Sequence, residues 1–205
     1  WCGVSATATP APAPARLWLV RHAQPLVAPG QCYGRLDMAA DAVATAASAE
    51  ALAAALPASV QLAHHSPLQR CAQLAHALQA LRPGLALHAD ARLQELDFGD
   101  WEGRAWDAIG RAPVDAWSAD FAHHRPGGGE SLAHMLARVA AALAAARLQI
   151  GAAPENGNDV LWITHAGVAR CVQWLLRHGS ATLPRADQWP VAAPGFGAWQ
   201  VFDLE

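Results

Sequence analysis

Two short apolar runs in this chain end on histidine. They are Arg16-Leu-Trp-Leu-Val-Arg-His22 and Asp159-Val-Leu-Trp-Ile-Thr-His165. A neutral imidazole is a nucleophile or proton carrier near pH 7, and an arginine fork matches phosphate or carboxylate oxygens bidentately. Arg21 beside His22, with Arg70 in His65-Ser-Pro-Leu-Gln-Arg70-Cys71, therefore offers chemistry on an anionic, phosphate-like group. A carboxylate that could move a proton stands in Leu93-Gln-Glu95-Leu-Asp97-Phe-Gly99-Asp-Trp101-Glu-Gly103. The Arg-His pair alone is a weak signal, because it occurs twice. Arg177-His178 before Gly179 reads as cations in a last helical turn followed by a glycine stop. Arg21-His22 instead closes a strand, where open α/β sheets bind their ligands.

These side chains meet only if the intervening elements bring the ends of the two runs together. Both runs read as buried strands. Residues 60–64 and 85–88 read as shorter strands, and 198–202 as the last one. Alanine-rich sequence predicts a helix over 38–56, stopped by Pro57, and another over 67–81, ended by Pro83-Gly84. Gly127-Gly-Gly129 breaks the chain. Beyond it, over 131–148, Leu132, Met135, Leu136, Val139 and Leu143 share one helical face. Residues 94–125 hold a loop with one or two short helices, Asn156-Gly157-Asn158 reads as a turn, and 168–176 as a helix. Strands alternating with helices predict a three-layer α/β fold with a mostly parallel, mixed sheet flanked by helices on both faces. Residues 1–15, ending in TPAPAPA, read as a loose tail before a single domain over 16–205.

Composition narrows the function classes. A chain of 205 residues, 53% hydrophobic and 15% charged, can bury a sizeable core and is not a disordered segment. All 14 basic residues are arginine and 17 are acidic, a net charge of −3. No global basic field draws in nucleic acid or a membrane surface. No stretch approaches the roughly 20 apolar residues of a membrane span, so the cytoplasm is the expected compartment. Cys2, Cys32, Cys71 and Cys171 are scattered without a CxxC, which gives no support to a zinc ribbon, redox motif or disulfide framework. His64-His65 and His123-His124 lack metal-ligand spacing, and no metal is expected. Trp101 and Trp106 read as core.

Taken in order, the blocks LVRHAQP, HSPLQRC, LQELDFGDWEG, PGGGES and ITHAGVAR resemble the histidine phosphatase superfamily, in its phosphoglycerate-mutase-like branch, over residues 17–170. The resemblance implies a metal- and cofactor-independent enzyme acting on a small phosphomonoester. It implies His22 as the histidine that becomes phosphorylated, Arg21 and Arg70 as phosphate arginines, a cationic His165 as the second pocket histidine, and Glu95 as proton donor. Arg35, Gly167, Glu130 and Ser131 are implied on the substrate side, although Ser131 also reads as a helix N-cap. Ala23 and Ala166 stand where the family often has glycine, and His65 where serine is common. Two segments, CYGRLD and LDFGDWEGRAWDAI, resemble the α-ribazole phosphatase subgroup, which implies α-ribazole 5′-phosphate as substrate. A phosphoglycerate mutase is the alternative, though such enzymes usually carry a longer insertion than the 70 positions between Glu95 and His165. A catalytically silent phosphate-binding module is the third reading.

Overall fold

The computed structural model describes residues 15–152 and 159–204. The expected tail (save Ala15), the turn at Asn156-Gly157-Asn158 and Cys2 lie outside the described residues. Five strands, β1 (Arg16–Arg21), β2 (Leu62–His65), β3 (Ala86–Ala89), β4 (Asp159–Thr164) and β5 (Trp199–Asp203), form one sheet in the order β3-β2-β4-β1-β5. The first four are mutually parallel, and β5 runs antiparallel to β1. The sheet is thus mixed and mostly parallel, as its sequence predicts.

Helices cover both faces because the central strands are apolar on both. In β4 every residue is buried. Val160 and Trp162 point to one core, with α5 (Leu132–Ala152) and α6 (Ala166–His178). Leu161 and Ile163 point to the other, with α1 (Ala42–Ala55) and α2 (Gln69–Leu81). Each such side chain contributes about 1.5–3 kcal/mol on burial. All five predicted apolar positions of α5, Leu132 to Leu143, are buried. Two short helices, α3 (Trp106–Ile109) and α4 (Arg111–Ala119), follow the acidic loop. Among the described residues no helix is long and apolar enough to cross a membrane.

Boundaries differ from the sequence reading where tertiary hydrogen bonds compete. The first helix starts at Ala42 and not at 38. Residues before it pair with the loop after β1, Leu26 N–H donating to Ala39 O (2.9 Å) and Asp41 N–H to Gln24 O (2.8 Å), and Asp41 then caps the helix. Conversely α6 starts at Ala166, directly after His165, two residues earlier than predicted. The predicted end at Arg177-His178 and Gly179 holds, with Gly179 at φ 75°.

Parallel pairing puts the carboxyl ends of β1, β2 and β4 on one edge. Arg21 lies opposite Thr164 and His65 opposite Ile163. The ladder continues one step further, with His22 N–H on Thr164 O and Ser66 N–H on Ile163 O, both 3.0 Å. Everything that follows these strands therefore opens into one crevice.

Candidate active site

His22 and His165 emerge from adjacent strands, and their rings sit 5.2 Å apart at 61°. Both are almost fully buried. His22 Nδ1 lies 2.7 Å from its neighbour's carbonyl, Ala23 O. A carbonyl only accepts, so Nδ1 carries the proton and Nε2 keeps its lone pair. Burial, then Arg70 and Arg21, push the His22 pKa down to about 3 against the pull of the Ala23 carbonyl. The ring is neutral at pH 7, with its lone pair on Nε2.

His165 Nε2 lies 2.9 Å from Ser66 Oγ, with the Cys71 thiol at 3.5 Å behind it. The sequence reading has this histidine cationic. Burial, with Arg70, His22, Arg138 and Arg21 around it, instead holds its pKa well below the usual imidazole value. Burial first, and the neighbouring cations second, favour the neutral ring.

The two arginines reach the pocket by different routes. Arg21, at the end of β1, lays its guanidinium 3.8 Å over the Phe196 ring and donates to Pro194 O (3.2 Å). Burial lowers its pKa, against Tyr33 and Glu95. Arg70, in the first turn of α2, is completely buried. Its terminal nitrogens donate to the carbonyls of Leu36 and Gly34. Among the described residues neither guanidinium has a carboxylate within 4.0 Å, and the Nε of each is buried without a partner. Uncompensated cations at a buried pocket favour an anion.

Glu95 lies against the N-terminus of α6, accepting from Gly167 N–H (2.9 Å) and Leu96 N–H (3.0 Å). A Cβ at position 167 would stand 2.0 Å from Glu95 Oε1, so only glycine admits the carboxylate there. The loop bearing Glu95 is held from behind by Arg138. That side chain donates to the carbonyls of Arg92, Gln94 and Glu95 and is itself gripped by both oxygens of Glu130 at 2.8 Å. The loop's other end packs on the glycine run. A Cβ at Gly127 (φ 59°) would fall 2.1 Å from Phe98 O, and one at Gly129 equally close to Asp97 O.

The five residues expected to do chemistry, Arg21, His22, Arg70, Glu95 and His165, all line one cavity of about 550 Å³. Of the four placed on the substrate side, only Gly167 lines it, and its N–H is engaged by Glu95. Arg35, Glu130 and Ser131 line a separate depression with Asp97 and His134. Arg35 pairs with Asp97 (3.5 Å), Glu130 with Arg138, and Ser131 Oγ caps α5 by accepting from His134 N–H (3.3 Å). Their charges and hydrogen-bonding groups are turned to holding the loops together. Trp101 is core, as read from sequence. Trp106 is not: it is 37% exposed and lines the cavity.

Sequence reasoning missed four contributors. Ser66 hides in the HSPLQRC block, and Tyr33 beside the two arginines had no signal beyond its place in CYGRLD. Glu102 accepts from the N–H groups of Gly34, Arg35, Leu36 and Phe98, tying the loop after β1 to the acidic loop. Phe196 arrives from a proline-spaced loop far along the chain. His65, whose role was open, turns its Nδ1 to Ser66 O (2.9 Å) and packs on His76. Cys32, Cys71 and Cys171 are free and buried, and among the described residues no group of three His, Cys, Asp or Glu is arranged to hold a metal.

Comparison with known proteins identifies the family and the fold. A family model described as the histidine phosphatase superfamily (branch 1) matches residues 17–193. A mycobacterial glucosyl-3-phosphoglycerate phosphatase superposes with a TM-score of 0.75 at 28% identity, covering 92% of this chain and 90% of that one. A second mycobacterial hydrolase gives 0.72 at 29% identity, over 91% and 81% of the two chains. The alpha-ribazole phosphatase from Shigella flexneri gives 0.72 over 92% and 90%, but at 24% identity it speaks to the fold alone. A search of curated proteins finds no match.

Proposed function

The chain belongs to the histidine phosphatase superfamily, and on that premise we propose that it hydrolyses a small phosphomonoester through a phosphohistidine formed on His22. The observation that carries the reading is the His22 ring. Its Nδ1 is committed to Ala23 O, and it lies in one cavity with two arginines that have no carboxylate partner among the described residues.

In the first step Arg21 and Arg70 hold the phosphoryl oxygens, and Nε2 of His22 attacks phosphorus in line. The P–O bond to the substrate breaks, and Glu95 gives its proton to the departing alkoxide. His165 and the guanidiniums share the equatorial charge of the transition state. In the second step Glu95, now a carboxylate, takes a proton from water as that water attacks phospho-His22. The N–P bond breaks, and inorganic phosphate leaves.

Rapid quench with labelled phosphomonoester, in excess EDTA, tests the scheme. Label should appear on the protein in an acid-labile, base-stable form and pass to water at the turnover rate. Turnover without such label under single-turnover conditions removes His22 as nucleophile. Label handed to a second hydroxyl identifies a mutase, and no phosphate release from folded protein a binding module.

A further inference from the structure

We propose that the leaving alcohol of the substrate carries an aromatic ring, so that the site selects aryl-bearing phosphomonoesters. The inference rests on the phosphatase reading above and adds the class of alcohol. The cavity, about 550 Å³, is of the size that encloses a whole small molecule, far more than a phosphoryl group needs. Its lining includes five aromatic side chains besides Tyr33, namely Phe98, Trp106, Trp117, Phe121 and Trp189.

These five rings form one continuous chain. Trp106 meets Phe98 edge-on at 5.7 Å, Phe98 meets Trp117 at 5.7 Å, Trp117 stacks on Phe121 at 5.5 Å, and Phe121 meets Trp189 at 5.9 Å. Such a wall gains from an added ring beyond the area it covers, through further edge and face contacts. The 37% exposure of Trp106, at odds with its size, follows if its ring is a platform for substrate.

The test compares kcat/KM for 2-naphthylmethyl phosphate and cyclohexylmethyl phosphate, both esters of alkyl alcohols, which keeps the chemical step similar. The naphthylmethyl ester should lead by about tenfold, the worth of one or two aromatic pairs. Trp106→Ala should bring the ratio towards unity and Trp106→Phe should keep most of it. Independently of any variant, 2-naphthylmethanol should inhibit the wild-type enzyme competitively and about tenfold more tightly than cyclohexylmethanol. An equal or reversed order of esters or alcohols overturns the aromatic assignment while leaving the phosphatase standing. So does a ratio that Trp106→Ala does not move. Failure to release phosphate from either ester and from p-nitrophenyl phosphate overturns both.

Discussion

The inner pocket and the depression around Glu130 are built from the same residue types, arginine, glutamate and histidine, yet they use their carboxylates differently. In the depression both carboxylates are paired, Glu130 with Arg138 and 3.3 Å from His134, and Asp97 with Arg35, while Arg125 donates to Gly129 O. In the inner pocket buried Arg70 and half-buried Arg21 lie among carbonyls and rings, with no carboxylate within 4.0 Å among the described residues, and burial beside these cations holds the histidines neutral. Paired charge here fastens loops, and the pocket's unpaired cations favour an anion. Composition alone does not separate the two regions, because the distinction lies in which side chain neutralises which.

The contrast is most severely challenged at His22. Replacement by alanine should lower kcat by at least about 10⁴-fold, as for other lost nucleophiles, and abolish trapped label in the quench. A variant within tenfold of wild type would take chemistry out of the inner pocket. Arg70→Gln should cost on the order of 10²–10³ in kcat/KM, the loss of a preorganised donor to the transition state.

Glu130→Ala should reverse that pattern. Arg138 would be left buried and unpaired, so stability should fall by about 3–5 kcal/mol in urea denaturation, while kcat/KM of the folded enzyme changes less than tenfold. A large loss of activity at full stability would move Glu130 into the catalytic machinery.

Acid should also distinguish the regions. Between the usual histidine pKa near 6.5 and about 3, the unfolded chain binds protons at His22 that the folded chain refuses, and His165 behaves in the same direction. Stability must therefore fall as pH drops through that window, by up to about 1.4 kcal/mol per pH unit for each ring. Urea midpoints from pH 7 to 5 read the slope, and His22→Asn should remove its share. A flat profile would show that the pocket does not hold its histidines neutral.

The smallest effect belongs to Arg35, whose pairing with Asp97 is half exposed. Arg35→Ala should change stability by no more than about 1 kcal/mol and kcat/KM by no more than about twofold.

Legibility followed the range of the forces involved. β4 was readable to the residue because six buried positions in a row leave no other element possible. The apolar face of α5 was equally plain in its spacing. The late start of α1 was not, since it depends on hydrogen bonds to Gln24 and Leu26 that no local pattern encodes. Within the site, the five residues in motif blocks were legible by type and order. Arg35, Glu130 and Ser131, expected on the substrate side, line a separate depression, which the sequence did not show because a polar residue in a loop looks the same whether its partner is a ligand or another protein group. The aromatic wall was illegible for a related reason: Trp106 and Trp101 are five positions apart, and only packing puts one in the core and the other in the cavity.

What the amino-acid sequence settled by itself is the layered α/β architecture and the set of groups able to handle a phosphoryl transfer. Hydrophobic periodicity and residue chemistry are local properties and survive in one dimension. Tertiary structure alone decided the protonation of the two histidines, which arginines pair with a carboxylate and which do not, and the aromatic character of the cavity lining. Those depend on desolvation and on charges brought near from distant parts of the chain. Both vary with separation in space, which spacing along the chain does not record.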